Sequence, residues 1–239
     1  MPQVPPPFPQ HLNVVVPPTP QALRNSIPDH TSWNFHKVFS EDLRYEHQMY
    51  GYVNAYLQAI FPQERWFLIN PQYQMRPIVD NPDTAGDTSF GSLGGVHLAR
   101  TQGSEGIGKE YPDFSVTKTF PRHLHQQHVQ YLIALVEVKL FREEPNSETP
   151  EKAINQLTDY LEHASQFPNR EDMLKGFVVS NEGYCCWQIM DIDDELEILP
   201  VRGEGEENRV LTDLFDSGSP FSRFLCDISI AHWNLADLP

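Results

Sequence analysis

Two carboxylates and a lysine stand out in the middle of the chain: Asp113, directly after Pro112, and Glu137 and Lys139, on either side of Val138. Side chains alternate faces along a strand, so Glu137 and Lys139 share one face of the apolar run 129–140 while Val138 takes the other. Asp113 stands near the start of a second extended segment, 111–117. If the two segments pair as a hairpin-like unit, Asp113 reaches the same spot. Two carboxylates converging on one point repel each other, and a divalent cation relieves that repulsion. Oxygen ligands with open water positions suit Mg²⁺ or Mn²⁺. A lysine beside such an ion orients a water and helps lower its pKa, while the ion stabilises charge on a phosphodiester oxygen.

These groups need a framework, and the apolar periodicity outlines one. Over residues 40–61, Leu43, Tyr50, Val53, Leu57 and Ile60 recur at helical spacing, with Ser40 as N-cap. Glu46 falls on the inward face of that stripe, where a carboxylate sits at the edge or is held by a partner. A strand is expected at 65–70, then a Gly/Asp/Ser-rich loop over about 80–109. Loops of that length are usually lids or disordered. Strands at 111–117 and 129–140 follow, with a turn at Phe120-Pro121. The second strand is so continuously apolar that it belongs at a sheet centre covered on both faces. A helix over 151–164, strands at 176–180, 184–191 and 196–201, and helices near 209–215 and 220–233 complete the order. That order predicts a mixed α/β or α+β sheet with helices on its faces.

The charges at 137 and 139 are anomalous in so apolar a strand, which separates them from an ordinary solvated face. Pro112-Asp113, a spacer of 23 residues, and Glu137-Val138-Lys139 together resemble the signature of the PD-(D/E)XK nuclease superfamily. Glu46, on a helix before the first strand, is similar to the third acidic residue of many members. Gln156-Leu157-Thr158-Asp159-Tyr160 is similar to the Gln-xxx-Tyr element of the RecB-like and λ-exonuclease-like branches. The resemblance covers about residues 40–180. It implies a restriction-endonuclease-like α/β core, a mixed central sheet flanked by helices, and metal-dependent hydrolysis of DNA, with RNA as a further candidate. Asp113 and Glu137, assisted by Glu46, would hold Mg²⁺ or Mn²⁺, Lys139 would position the attacking water, and Gln156 and Tyr160 would shape the site. The alternative for this pair is that Tyr160 is core and Gln156 lies at a helix edge. Many endonucleases of this kind act as homodimers. The superfamily also contains silent members, so the alternative function is an interaction scaffold.

The chain has 239 residues and a net charge of −16, from 17 Lys+Arg and 33 Asp+Glu. That balance excludes polybasic nucleic-acid binding, in which cationic surface supplies most of the affinity. The acidity is concentrated at 142–216, with 19 acidic and 6 basic residues. A solvated surface, or a dock for a basic protein partner, explains it. Nine of the 21 prolines fall in residues 1–30, which predicts a flexible Pro-rich arm over 1–32 and a single domain over 33–239. Pro5-Pro6-Pro7 can serve as a docking ligand, though an unstructured terminus is the simpler reading. No secretory signal or membrane-length apolar run is visible. Three cysteines are too few and odd in number for a disulfide scaffold. An intracellular protein, cytoplasmic or nuclear, is the expectation.

Other patterns carry less. Residues 103–109 fit the first seven positions of a P-loop, but Glu110 and Pro112 stand where a hydroxyl and a helix are required. His123, His125 and His128 can be read as an Fe²⁺ or Zn²⁺ cluster, or as polar residues at a hairpin end. Cys185 and Cys186 stand directly before Trp187 in an apolar strand with no basic activator nearby in sequence. Arg100, Lys109, Lys118 and Arg122 lie near the motif, as phosphate contacts or as ordinary surface charges.

Overall fold

A computed structural model describes residues 13–40, 43–72, 112–120, 129–142, 148–192, 195–201, 211–212, 214 and 220–235. Its centre is β3 (Val129–Lys139), buried from Tyr131 through Lys139. A run apolar on both faces can only be accommodated between two covering layers. Its neighbours are β2 (Phe114–Phe120), which pairs antiparallel, and β4 (Arg170–Ser180), which pairs parallel. With β1 (Phe67–Pro71), β5 (Gly183–Ile192) and β6 (Glu195–Val201) they form a mixed six-stranded sheet in the order of the sequence.

Parallel neighbours need a crossover, and here a helix supplies it. The crossover helix is α4 (Pro150–Ser165), started by Thr149, whose hydroxyl accepts the Lys152 N–H, and by Pro150 in its first turn. It buries Ala153, Leu157, Tyr160 and Leu161 against Leu135, Leu174, Val178 and Ile189. Gly176 makes this approach close: a Cβ there would stand 2.7 Å from Leu157 Cδ1. The opposite face is covered by α1 (Pro20–Asn25), α2 (Asp29–Ser40), α3 (His47–Ile60) and α5 (Pro220–Ala231). There Leu23, Phe35, Leu57 and Phe221 pack over Phe114, Val136, Val138 and Phe177. The result is an α/β protein with helices on both faces of the sheet. Among the described residues, no helix is long and apolar enough to cross a membrane.

Three expectations change. The single helix over 40–61 is broken: α2 ends at Ser40, which therefore is not an N-cap, and α3 begins at His47 after Glu46. Leu43 keeps its buried place from outside any helix, so the apolar spacing runs unbroken across the gap. The flexible arm does not extend to residue 32. Pro20 opens α1 with Thr19 as its N-cap, and Leu23 and Ile27 are buried in the core. Proline in a first helical turn starts a helix instead of preventing one. Finally, Thr212 pairs with Tyr184 in a bridge, where a helix over 209–215 was expected.

Residues 1–12, the loop 80–109 with its P-loop-like glycines, Arg100, Arg122 and the histidines at 123, 125 and 128 lie outside the described residues.

Candidate active site

The β2–β3 register sets Phe114 against Val136, and so carries Asp113 to Glu137. The two residues interlock. The Asp113 backbone N–H donates to Glu137 Oε2 at 3.2 Å, and the Val138 N–H donates to Asp113 Oδ2 at 2.8 Å. Lys139 Nζ lies 2.8 Å from Glu137 Oε1. All three are buried, Glu137 to 2% exposure and Asp113 and Lys139 to 9%. Leu135 belongs to the core under α4 and Val136 and Val138 to the opposite one. Alternation then puts Glu137 and Lys139 on the α4 side.

Helix α3 adds a group that the motif does not contain. The hydroxyl of Tyr50 donates to Asp113 Oδ1 at 2.7 Å and lies 2.9 Å from Glu46 Oε1. Its ring is set edge-on to Phe114. Glu46 therefore reaches Asp113 through a phenol, not directly. Among the described residues, no three His, Cys, Asp or Glu side chains form a group able to hold a metal ion. Glu46, Asp113 and Glu137 are thus not gathered as one three-carboxylate set. The sequence places Tyr50 only in an apolar stripe, and its position four residues after Glu46 does not reveal what its hydroxyl meets.

Burial dominates the electrostatics. It raises the Glu137 carboxyl, and the Asp113 charge raises it further, against the opposing pull of Lys139. Asp113 is also raised, by burial and the Glu46 charge, while the Tyr50 and Val138 hydrogen bonds oppose the rise. Burial pulls the Lys139 ammonium down, but Glu137, Glu46 and Asp113 outweigh it, so its pKa lies above the usual lysine value. Tyr50 is pushed upward by burial and by its bond to Asp113, and stays a neutral donor.

These donors fit a hard divalent cation. The ligating atoms on offer are all oxygen, each Asp113 and Glu137 oxygen keeps a lone pair beyond its protein donor, and water can complete the shell. Ser115, two residues along β2 from Asp113 and on the same face, has a buried hydroxyl without a hydrogen-bond partner among the described residues. A bound water or ligand oxygen would satisfy such an atom.

Gln156 and Tyr160 stand on the α4 side, and the Gln156 amide donates to the Tyr160 hydroxyl. Tyr160 is packed inside the α4-side core, which makes it a core residue, with Gln156 half-buried beside it. Lys118 is not a phosphate contact: it is fully buried and donates to the carbonyls of His232 and Trp233. The three cysteines are buried free thiols, and burial pushes Cys185 and Cys226 up to about 11. Such thiols are poor nucleophiles.

In comparisons with known proteins, no family model, curated protein or solved structure matches the chain.

Proposed function

We propose that the chain is a Mg²⁺- or Mn²⁺-dependent phosphodiesterase that hydrolyses nucleic acid, DNA foremost with RNA as the alternative, on a restriction-endonuclease-like core. The observation that carries this reading is the interlocking of Asp113, Glu137 and Lys139 at adjoining strand ends. Two buried carboxylates and one ammonium leave a net negative charge in a low-dielectric place, which is costly unless a cation or protons offset it. When bound, the ion supplies Lewis acidity and charge neutralisation at the phosphodiester. Asp113 and Glu137 hold it. Lys139 donates to the attacking water and fixes its direction. Tyr50 orients Asp113, and Glu46 acts behind it.

A second reading has one observation in its favour. Lys139 already pairs with Glu137, so the group is partly self-compensated and can serve a silent scaffold whose acidic half binds a basic protein.

Cleavage assays separate the two. Labelled single-stranded, duplex and branched DNA, and RNA, are incubated with Mg²⁺, Mn²⁺ or EDTA, comparing wild type with Lys139→Ala. Circular dichroism checks the variant's fold. Metal-dependent cutting that vanishes in the folded variant supports the hydrolase. Equal cutting by the variant overturns it, and no cutting of any substrate leaves the scaffold.

A further inference from the structure

All four carboxylate oxygens of Asp113 and Glu137 meet a donor from the protein. Tyr50 donates to Asp113 Oδ1 and the Val138 N–H to Asp113 Oδ2. The Asp113 N–H donates to Glu137 Oε2, and Lys139 Nζ stands 2.8 Å from Glu137 Oε1. The four donors are not alike. Two are backbone N–H groups at adjoining strand ends, and the Tyr50 hydroxyl is placed by its ring against Phe114 and by Glu46. These three are neutral and fixed by the fold. Lys139 alone among the four carries a full charge, on a four-carbon stem that can turn.

That charge is what makes the metal-free group tolerable. Lys139 opposes the rise that burial imposes on both carboxyls, acting on Glu137 by charge and by hydrogen bond. It fills the electrostatic place that a metal ion would take. Glu137 Oε1 has a second lone pair, so the oxygen has room for two partners. Charge is the obstacle. An ion sharing Glu137 with Lys139 faces a full positive charge in a buried place, where the low dielectric strengthens the repulsion.

We infer that Lys139 is the built-in counter-ion of the metal-free site and excludes a divalent cation from Glu137 until its ammonium lets go of Oε1. This regulation of the site rests on the phosphodiesterase reading above. It also sets an order for the lysine's two tasks. While paired with Glu137 the ammonium is committed to the carboxylate, and after release it is free to hold a water. The consequence runs against the rule for a residue beside a metal ligand, whose loss normally weakens binding. Removing the Lys139 charge should tighten it.

The test is calorimetric titration of the full chain with Mn²⁺, comparing wild type, Lys139→Met, Lys139→Gln, Lys139→Arg and Asp113→Asn. Working at about pH 8.5, well above the ordinary carboxylate range, keeps protons from replacing the lost ammonium as the competitor. Circular dichroism checks each fold, and Lys139→Gln serves if Lys139→Met does not fold. Both neutral variants should bind Mn²⁺ at least about tenfold more tightly than wild type, and Lys139→Arg, which keeps the charge, should not. In urea unfolding, Lys139→Met should be less stable than wild type in EDTA, and excess Mn²⁺ should stabilise it more than it stabilises wild type. Neutral variants that bind Mn²⁺ no more tightly than wild type overturn the exclusion, as does a Lys139→Arg variant that gains as much as they do. If wild type binds and Asp113→Asn does not, the metal site stands without it. No Mn²⁺ binding by any of these proteins overturns both. If the neutral variants bind more tightly but Lys139→Ala cleaves nucleic acid like wild type, the hydrolase falls and the exclusion stands.

Discussion

The hydroxyl of Tyr50 donates to Asp113 across 2.7 Å, joining helix α3 to the carboxylate at the start of β2. The same oxygen lies 2.9 Å from Glu46, and a phenol has one proton to give. The three groups are one unit: the phenol has one proton to share between two carboxylates, so the position of Glu46 bears directly on how Tyr50 meets Asp113. This arrangement gives Glu46 an indirect role. It adds to the charge around Asp113, and in the proposed metal site direct ligation would fall to Asp113 and Glu137.

Tyr50→Phe keeps the ring against Phe114 and removes the donor. Stability should fall by about 1 kcal/mol, the usual net worth of one such bond. The Tyr50 bond lowers the Asp113 pKa, so its loss should move the acidic limb of the pH–rate profile to higher pH. Mn²⁺ affinity by calorimetry should weaken about tenfold, the size of effect seen when a metal ligand loses its orienting partner. A Phe variant with wild-type metal affinity and an unmoved profile would remove Tyr50 from the site.

Asp113 and Glu137 both have carboxyls raised above their ordinary values, chiefly by burial. In the metal-free protein the folded state therefore keeps protons that the unfolded state has lost. Their contribution to stability is full below the ordinary carboxylate range and is lost as pH rises through the raised values. Urea unfolding in EDTA should show stability falling from about pH 4 toward pH 7, and Asp113→Asn together with Glu137→Gln should flatten that fall. Mn²⁺ binding must displace the retained protons. Calorimetry in two buffers of different ionisation enthalpy should show proton release near pH 6 that fades at higher pH. Absence of any buffer dependence would mean that the carboxyls are already ionised.

What the sequence disclosed follows from how each element is stabilised. Strand β3 was legible as an unbroken apolar run, helix α4 by its apolar period, and Asp113, Glu137 and Lys139 because charge beside or within an apolar strand is conspicuous. The break between α2 and α3 was hidden, since Leu43 stays buried without being helical. Strand β4 begins six residues earlier than expected because Arg170, Glu171 and Asp172 extend it as a polar segment, with Arg170 donating to its own strand's carbonyls. Tyr50 was counted as an apolar residue although its hydroxyl end is what matters. A phenol that packs by its ring and bonds by its tip leaves no distinctive spacing.

Gly183 opens β5 at φ 139°, a conformation that side-chain-bearing residues rarely adopt. A Cβ there would also run into the Thr212 carbonyl, which accepts the Tyr184 N–H in the bridge at that edge. Gly183→Ala should thus cost about 2 kcal/mol, combining backbone strain with the displaced Thr212. Thermal denaturation measures it, and an alanine variant as stable as wild type would show that the turn can take another conformation.

Lys118 provides a pH dependence of the opposite sign. Its ammonium is fully buried between the Phe67 ring and the carbonyls of His232 and Trp233, where α5 ends. Those carbonyls carry the negative end of the helix dipole and welcome a donor. Burial nonetheless dominates and, with Arg65 nearby, pushes the lysine down to about 7 from its ordinary 10.5. Between these values the unfolded chain holds a proton that the folded chain has released, so stability should rise with pH across that window. The contribution of one such group approaches about 1.4 kcal/mol per pH unit. The neutral amine still has two N–H groups for the two carbonyls, so deprotonation does not leave the end of α5 without donors. Lys118→Met removes the titration, and the stability difference between wild type and variant should therefore shift in favour of wild type from about pH 7 to about pH 10. A difference that stays constant over that range would mean that Lys118 keeps its proton in the folded protein, held by the helix end more strongly than burial opposes it.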